Sequence, residues 1–252
     1  MVLIAALGMY DRAETMAAND RFWAQIKAAL REMGQDAPDR LTRGTAALMQ
    51  AWQSPDLLFA QTCSLPFRAK LAGRVQIIAT PDYGLEGCPA GYYRSVYVAK
   101  RGNGALTLPD LAGRPFAYNE GLSHSGWAAP WADHVARGLT IRPTLATGSH
   151  HASAQSVAEG RADYAALDAL TWDMIQRYDP FAADLIAIDY TPPSPALPFI
   201  TAQNPAPLRS ALGQAITDLP AADRATLHLR GVVDIAQSSY LSLPIPPTPT
   251  GS

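Results

Sequence analysis

The chain has 252 residues, 48% hydrophobic and 17% charged, with 20 basic against 22 acidic side chains and a formal net charge of −2. That balance supports a substantial core in one large domain or two lobes of roughly 100 residues each, and it argues against wholesale disorder. It gives no electrostatic reason to expect a nucleic acid or an anionic membrane as partner, and no apolar run approaches the ~20 residues of a membrane span.

Residues 1–7 are apolar but have no basic leader and are short for a signal sequence, so they read as structure, with a first strand at 3–7 ending in Gly8-Met9-Tyr10-Asp11. On that reading the protein is either cytoplasmic or has had an export signal removed. Phe22, Trp23, Ile26, Leu30 and Met33 then recur at helical spacing behind Asn19 and Asp20, residue types suited to a helix cap. Buried strands are predicted at 56–60 and 75–79, bracketing a helix near 66–71, with another strand at 95–99. Further strands are predicted at 115–118, 143–146 and 163–167, separated by helices, then at 184–190 and, after a proline-rich turn, 198–202. Leu208, Leu212, Ala215, Ile216 and Leu219 give a strongly amphipathic helix, and one more runs from Ala221 to near Gly231. The tail from Pro244 holds too many prolines for regular structure and is expected to lie extended. Short apolar runs alternating with helical patterns predict an α/β fold with mostly parallel strands. Residues 102–104, Gly-Asn-Gly, lack the third glycine of a dinucleotide fingerprint and read as a turn.

The polar residues at the strand ends are the informative feature. Strand ends lead into Tyr10-Asp11, Gln61-Thr62, Thr80 to Tyr83, Asn119 to Ser125, Thr147 to His150, and Asp168. In parallel sheets these ends share one edge, where ligands bind. The stretch "YNEGLSHSGW" at 118–127 carries the sharpest signal. Ser123 and Ser125 sit where a strand hands over to a helix, whose first amides have no intrahelical acceptor and whose dipole favours negative charge. Gly121 and Gly126 would let the backbone approach a ligand. "TGSHHAS" at 147–153 is a second junction of this kind, with His150 expected to face the ligand and His151 to turn away. Simple capping by one serine is the plainer alternative.

His124, His150, Tyr10, Tyr83, Tyr93 and Asp168 are residue types that suit ferric iron, but no pair has a local ligand spacing, so no metal is assigned. Cys63 and Cys88 both flank loops. A disulfide is one reading of the pair, two inert thiols the other.

The segments "LIAALGMYD", "PDLLFAQTC", "IATPDYGLEGCPAGYYRS", "NEGLSHSG", "TGSHHASAQSVAEGRADYAALDALTW" and "TPPSPALPFITA" occur in the order found in phosphate, phosphite and phosphonate ABC-transporter substrate-binding proteins. The chain resembles the PhnD-like branch of that family. The resemblance implies a two-lobed type II periplasmic-binding-protein fold, each lobe a mostly parallel sheet flanked by helices. Lobe one would be 1–91 plus 190–252, including the tail, lobe two 92–189, and the crossovers "YRSVYVA" and "DLIAIDYT". The implied function is closure over a small anionic ligand, a phosphonate or related phosphorus oxyanion, for an ABC-type uptake system. The implied headgroup site is Ser123, His124 and Ser125, covered by Tyr10, Thr62 and Tyr83, while His150 and Asp168 meet the ligand's other end and Asn119 is a further ligand-binding residue. His124 stands where the family's "STSG" has a hydroxyl. The resemblance further implies a periplasmic location, a permease partner, a monomer, no cofactor and no catalytic residue. Two alternatives stay open: an enzyme on the same fold resembling thiamine-pyrimidine synthesis proteins, and a ligand-sensing subunit.

Overall fold

The structure, a computed structural model, describes residues 2–102 and 107–250, and the turn expected at 102–104 lies largely outside them. The chain divides into two compact units. Unit one is Met1–Gly84, Ala90–Tyr92 and Pro195–Ser242; unit two is Leu85–Pro89, Tyr93–Ser194 and Leu243–Ser252. The proline-rich tail, expected with lobe one, thus belongs to unit two, where Gly121 and Trp127 give it a surface to pack on.

In chain order the strands are β1 Ile4–Ala6, β2 Leu57–Gln61, β3 Gln76–Asp82, β4 Tyr92–Tyr93 and β5 Ser95–Lys100. They continue with β6 Pro115–Tyr118, β7 Arg142–Ala146, β8 Tyr164–Asp168 and β9 Leu185–Tyr190. β10 Ser194–Pro195, β11 Phe199–Thr201 and β12 Gly231–Val233 complete the series. Unit one carries a five-stranded sheet of order β1-β2-β11-β3-β12, and unit two one of order β7-β6-β8-β5-β9, while β10 and β4 form a separate pair. In unit one β1, β2 and β3 run one way, with β11 and β12 against them. In unit two β6, β7, β8 and β9 run one way and β5 opposes them. This mixed α/β architecture has the majority direction that the strand–helix alternation predicts. The opposed strands β11 and β12 run alike and are joined through the helices Pro205–Asp218 and Ala221–Leu227, while β5 stands alone against its neighbours β8 and β9.

Burial explains why these runs become strands. All five residues of β2 are buried, as are all five of β8, so continuous apolar runs are covered on both faces. The core of unit one gathers Trp52, Leu57, Phe67, Leu71, Ile200 and Tyr240; that of unit two gathers Tyr97, Leu108, Phe116, Tyr118, Trp127 and Tyr164. The helix Met16–Glu32 buries Phe22, Trp23, Ile26, Ala29 and Leu30, and each large side chain among them contributes about 1.5–3 kcal/mol by leaving water. That helix begins one turn before the expected cap. Asn19 and Asp20 lie inside it because their side chains have other partners: Asn19 Nδ2 donates to Asp11 Oδ1 at 3.0 Å, and Asp20 pairs with Arg43 at 2.8 Å.

Unit two also buries a polar cluster. Tyr97 Oη donates to Asp133 Oδ2 at 3.0 Å, and His134, fully buried, has its Nδ1 2.8 Å from the Pro130 carbonyl and its Nε2 3.2 Å from Tyr164 Oη. Burial pushes the His134 pKa down and the Tyr97 pKa up, so both stay neutral and act as hydrogen-bonding elements of the core.

No disulfide joins Cys63 and Cys88; each remains a thiol, which overturns the pairing read from the loops. Cys63 is buried in unit one, where its carbonyl accepts from Phe67 N at 3.1 Å. Cys88 sits in unit two, in a turn closed by its own N–H on the Leu85 carbonyl at 3.1 Å, and burial raises its thiol pKa. Each is held by the local packing of a different loop.

Candidate ligand-binding site

Because β6, β7 and β8 run parallel, their carboxyl ends bring three of the predicted polar clusters to one edge of the unit-two sheet. Asn119 comes directly after β6, His150 opens the helix His150–Ala158 after β7, and Asp168 ends β8. Between Asn119 and the helix Ala129–Ala136 the chain makes an unusually wide turn. Ala128 N donates to the Ser123 carbonyl at 3.1 Å, five residues back, and Ala129 N to the His124 carbonyl, also five back. Such π-type turns are frequent at functional sites, although the chain makes another at Phe67–Leu71. Ser123 caps the turn, its Oγ accepting from Gly126 N at 3.0 Å. The amides of His124 and Ser125, in the first turn ahead of Gly126, have no acceptor within the helix itself.

The side chains of this turn bond to one another and to neighbours. Ser125 Oγ lies 2.9 Å from His150 Nε2, and His124 Nε2 lies 2.9 Å from Ser194 Oγ. The His124 ring also packs on Tyr93, centroids 6.0 Å apart. Ser123, His124 and Ser125 are 3–4% exposed, so any polar group they meet is met away from bulk water. His150 as a whole residue is only partly buried, but its ring nitrogen Nδ1 is fully covered and makes no well-formed hydrogen bond. Burial of the ring pushes its pKa down to about 4, an effect partly offset by the Ala166 backbone carbonyl. His150 is therefore neutral at pH 7. The Ser125 hydroxyl and His150 Nε2 share a hydrogen bond whose direction follows the imidazole tautomer. The site offers amide hydrogens, hydroxyls and the neutral His150 imidazole for an anion, with no lysine or arginine in residues 118–127.

The two glycines of this stretch serve a different purpose from the expected one. A Cβ on Gly126 would lie 1.8 Å from Asn119 Oδ1, and one on Gly121 3.1 Å from Pro249 Cδ. They admit the chain's own side chains. Asn119 Oδ1, held against Gly126, is buried and makes no hydrogen bond. Asp168 is 2% exposed and caps the helix Ala169–Tyr178 by accepting from Thr171 N at 3.0 Å, a structural duty beyond the ligand contact expected of it. His151 is turned outward, 3.4 Å from Asp179.

The three residues expected from the first lobe lie in unit one, each after a parallel strand: Tyr10 after β1, Thr62 after β2 and Tyr83 after β3. Tyr10 and Tyr83 meet edge to face, centroids 5.4 Å apart. Thr62 is fully buried. Gln61, noted as a polar strand end but not assigned a ligand contact, holds Tyr83 by donating from Nε2 to its Oη at 2.7 Å and to the Leu197 carbonyl at 3.0 Å. Ser194, the partner of His124, had no signal in the sequence, since 70 residues separate the two. The cavity within unit one beside Tyr10, Gln61 and Tyr83 holds about 20 Å³, room for about one water and too small for a phosphonate. A larger concavity in unit two, about 450 Å³, is lined by Arg101, Gln176, Arg177 and Asp179 and contains none of the predicted residues. Arg101 there already donates to the Ala183 and Leu185 carbonyls at 3.0 and 3.2 Å. The wide turn at Ser123, with its paired serine and histidine side chains, is the better candidate on chemistry.

Comparison with known proteins agrees with the fold and supplies the family. Residues 4–240 match the family model described as ABC transporter, phosphonate, periplasmic substrate-binding protein. No curated protein matches the chain. Among solved structures, PhnD1 from Prochlorococcus marinus in complex with methylphosphonate superposes with a TM-score of 0.72 at 17% identity, covering 94% of each chain. A Xanthomonas citri protein bound to chloride ion gives a TM-score of 0.72 at 18% identity over 96% of this chain and 94% of that one. The binding protein component of an ABC phosphonate transporter from Pseudomonas aeruginosa gives 0.71 at 16% identity, covering 95% of this chain and 83% of its own. At these identities the structures speak for the fold, a two-unit periplasmic-binding-protein architecture. The family model, matched over nearly the whole length, shows more: the chain belongs to the periplasmic substrate-binding proteins of phosphonate ABC transporters.

Proposed function

We propose that the protein binds a small phosphorus oxyanion for an ABC-type importer, and that the wide turn starting at Ser123 receives the headgroup. The observation that carries this reading is the pairing of first-turn amides with two hydroxyl–imidazole pairs, Ser125–His150 and His124–Ser194, in a segment without a single cation. Headgroup oxygens accept from the His124 and Ser125 amides. The two serine hydroxyls and the two imidazoles reorient from one another to the ligand. Amide and hydroxyl donors in a buried site hold an anion firmly yet reversibly, which suits a carrier that must release its cargo to a permease. Asn119, with an unbonded buried oxygen, offers an acceptor for a protonated ligand oxygen or an amine. Tyr10, Thr62 and Tyr83 of unit one and Asp168 of unit two are further ligand contacts in this reading, by family resemblance.

The protein performs no chemistry on its ligand, carries no cofactor, works as a monomer in the periplasm, and has a transporter permease as partner. Among the described residues no helix is long and apolar enough to cross a membrane. The methylphosphonate held by PhnD1 makes short alkylphosphonates the first ligands to try. A thermal-shift panel of phosphonates, phosphite, phosphate and sulfonates at millimolar concentration tests the proposal. A phosphonate or phosphite that raises Tm, through binding to the folded state alone, supports it. No shift across the panel overturns it.

A further inference from the structure

Residues 243–250 form neither helix nor strand. Prolines at 244, 246, 247 and 249 explain why, since each lacks an amide hydrogen and fixes its φ near that of an extended left-handed helix. Such a segment exposes carbonyls and ring edges, and an aromatic surface carrying an N–H donor is its usual receptor. Unit two supplies one. Trp127 donates its indole N–H to the Pro247 carbonyl at 2.9 Å. Pro249 lies over Gly121, close enough that a Cβ there would come within 3.1 Å of its Cδ. Gly121 is not among the glycines with positive φ, so its missing side chain answers the approach of the tail and no backbone demand. Trp127 is 3% exposed with the tail in place and packs on Tyr118, centroids 5.8 Å apart, so the indole is held from the unit-two side as well as by the tail.

The receiving residues bracket Ser123, His124 and Ser125 on both sides. The geometry points to a strap in cis: residues 243–250 dock as an extended proline-rich segment on Gly121 and Trp127 and thereby order the wide turn between them. Tail and turn belong to the same unit, and the strap can be tested without any ligand, separately from the proposed function.

Hydrogen exchange followed by two-dimensional NMR reads the strap directly. The five tryptophans give five indole signals, and Trp127→Phe in the full chain assigns the relevant one. In the unaltered protein the Trp127 indole proton is expected to exchange slowly. In a chain ending at Ser242, backbone amides of residues 121–127 should exchange up to about tenfold faster, the factor set by loss of one partly buried hydrogen bond. Amides of Ala29 and Leu30, in unit one, serve as the unaffected reference. The Trp127→Phe variant should accelerate the same amides while keeping the tail. Exchange of the indole proton at the rate of free indole in the full chain overturns the strap, whatever the shortened chain does. Exchange at residues 121–127 that stays within about twofold after truncation overturns it as well.

Discussion

Lowering the pH should destabilise the protein through His150, and the size of the effect is set by the buried ring. An imidazole in the unfolded chain protonates near 6.5, whereas burial holds that of His150 down to about 4. Between those two values the unfolded chain binds a proton that the folded one refuses, so stability rises with pH across the window. The contribution is complete above pH 6.5 and is lost as the pH falls toward 4. The gap of about 2.5 pH units, at ~1.4 kcal/mol each, amounts to about 3.5 kcal/mol in full, and about 2.5 kcal/mol has gone by pH 4.5. The pKa of His134 is lowered too and adds to the loss in the same direction. Urea unfolding of wild type and His150→Gln at about pH 7.5 and pH 4.5 isolates the His150 share, because His134 is common to both. Wild type should lose about 2.5 kcal/mol more than the variant between those conditions. Equal losses in the two proteins would refute a neutral, buried His150.

Ser125→Ala removes the hydroxyl 2.9 Å from His150 Nε2 and leaves that nitrogen unsatisfied; denaturant titration should show a loss of about 1–3 kcal/mol. Gly126→Ala drives a methyl group into the space of Asn119 Oδ1 and should cost about 1–3 kcal/mol by overpacking, with Asn119→Ala in the same chain restoring part of it in a double-mutant cycle. Alkylation under denaturing conditions without reductant should modify both Cys63 and Cys88, and dithiothreitol should leave Tm unchanged.

Much of the fold could be read from periodicity. Strands at 57–61, 115–118 and 164–168 coincide with apolar runs buried on both faces, where the pattern leaves little choice. Most of the misses depend on partners outside the local pattern. Asn19 resembles a cap until Asp11 claims its amide, and Cys63 and Cys88 resemble a pair until their loops fold separately. The short helix Gln237–Leu241 had too few residues to show a period. It is fixed by Tyr240, whose hydroxyl donates to the Ala196 carbonyl at 2.8 Å and meets Thr80 Oγ1 at 2.7 Å. At the candidate site, the strand-to-helix junction with its serines was legible because caps and glycines are local signals. The wide turn, the Ser125–His150 and His124–Ser194 pairs and the tail over Gly121 were not, since each is a meeting of segments 25 or more residues apart or an irregularity of backbone hydrogen bonding.

Amide chemical shifts of His124 and Ser125, monitored while methylphosphonate is titrated into the ¹⁵N-labelled protein, probe the anion-holding turn most directly. Those two amides should move furthest and in saturable fashion, and the movement should weaken when Ser123 and Ser125 are both replaced by alanine. Saturable binding of methylphosphonate with both amides unmoved would contradict the assignment of the headgroup to this turn.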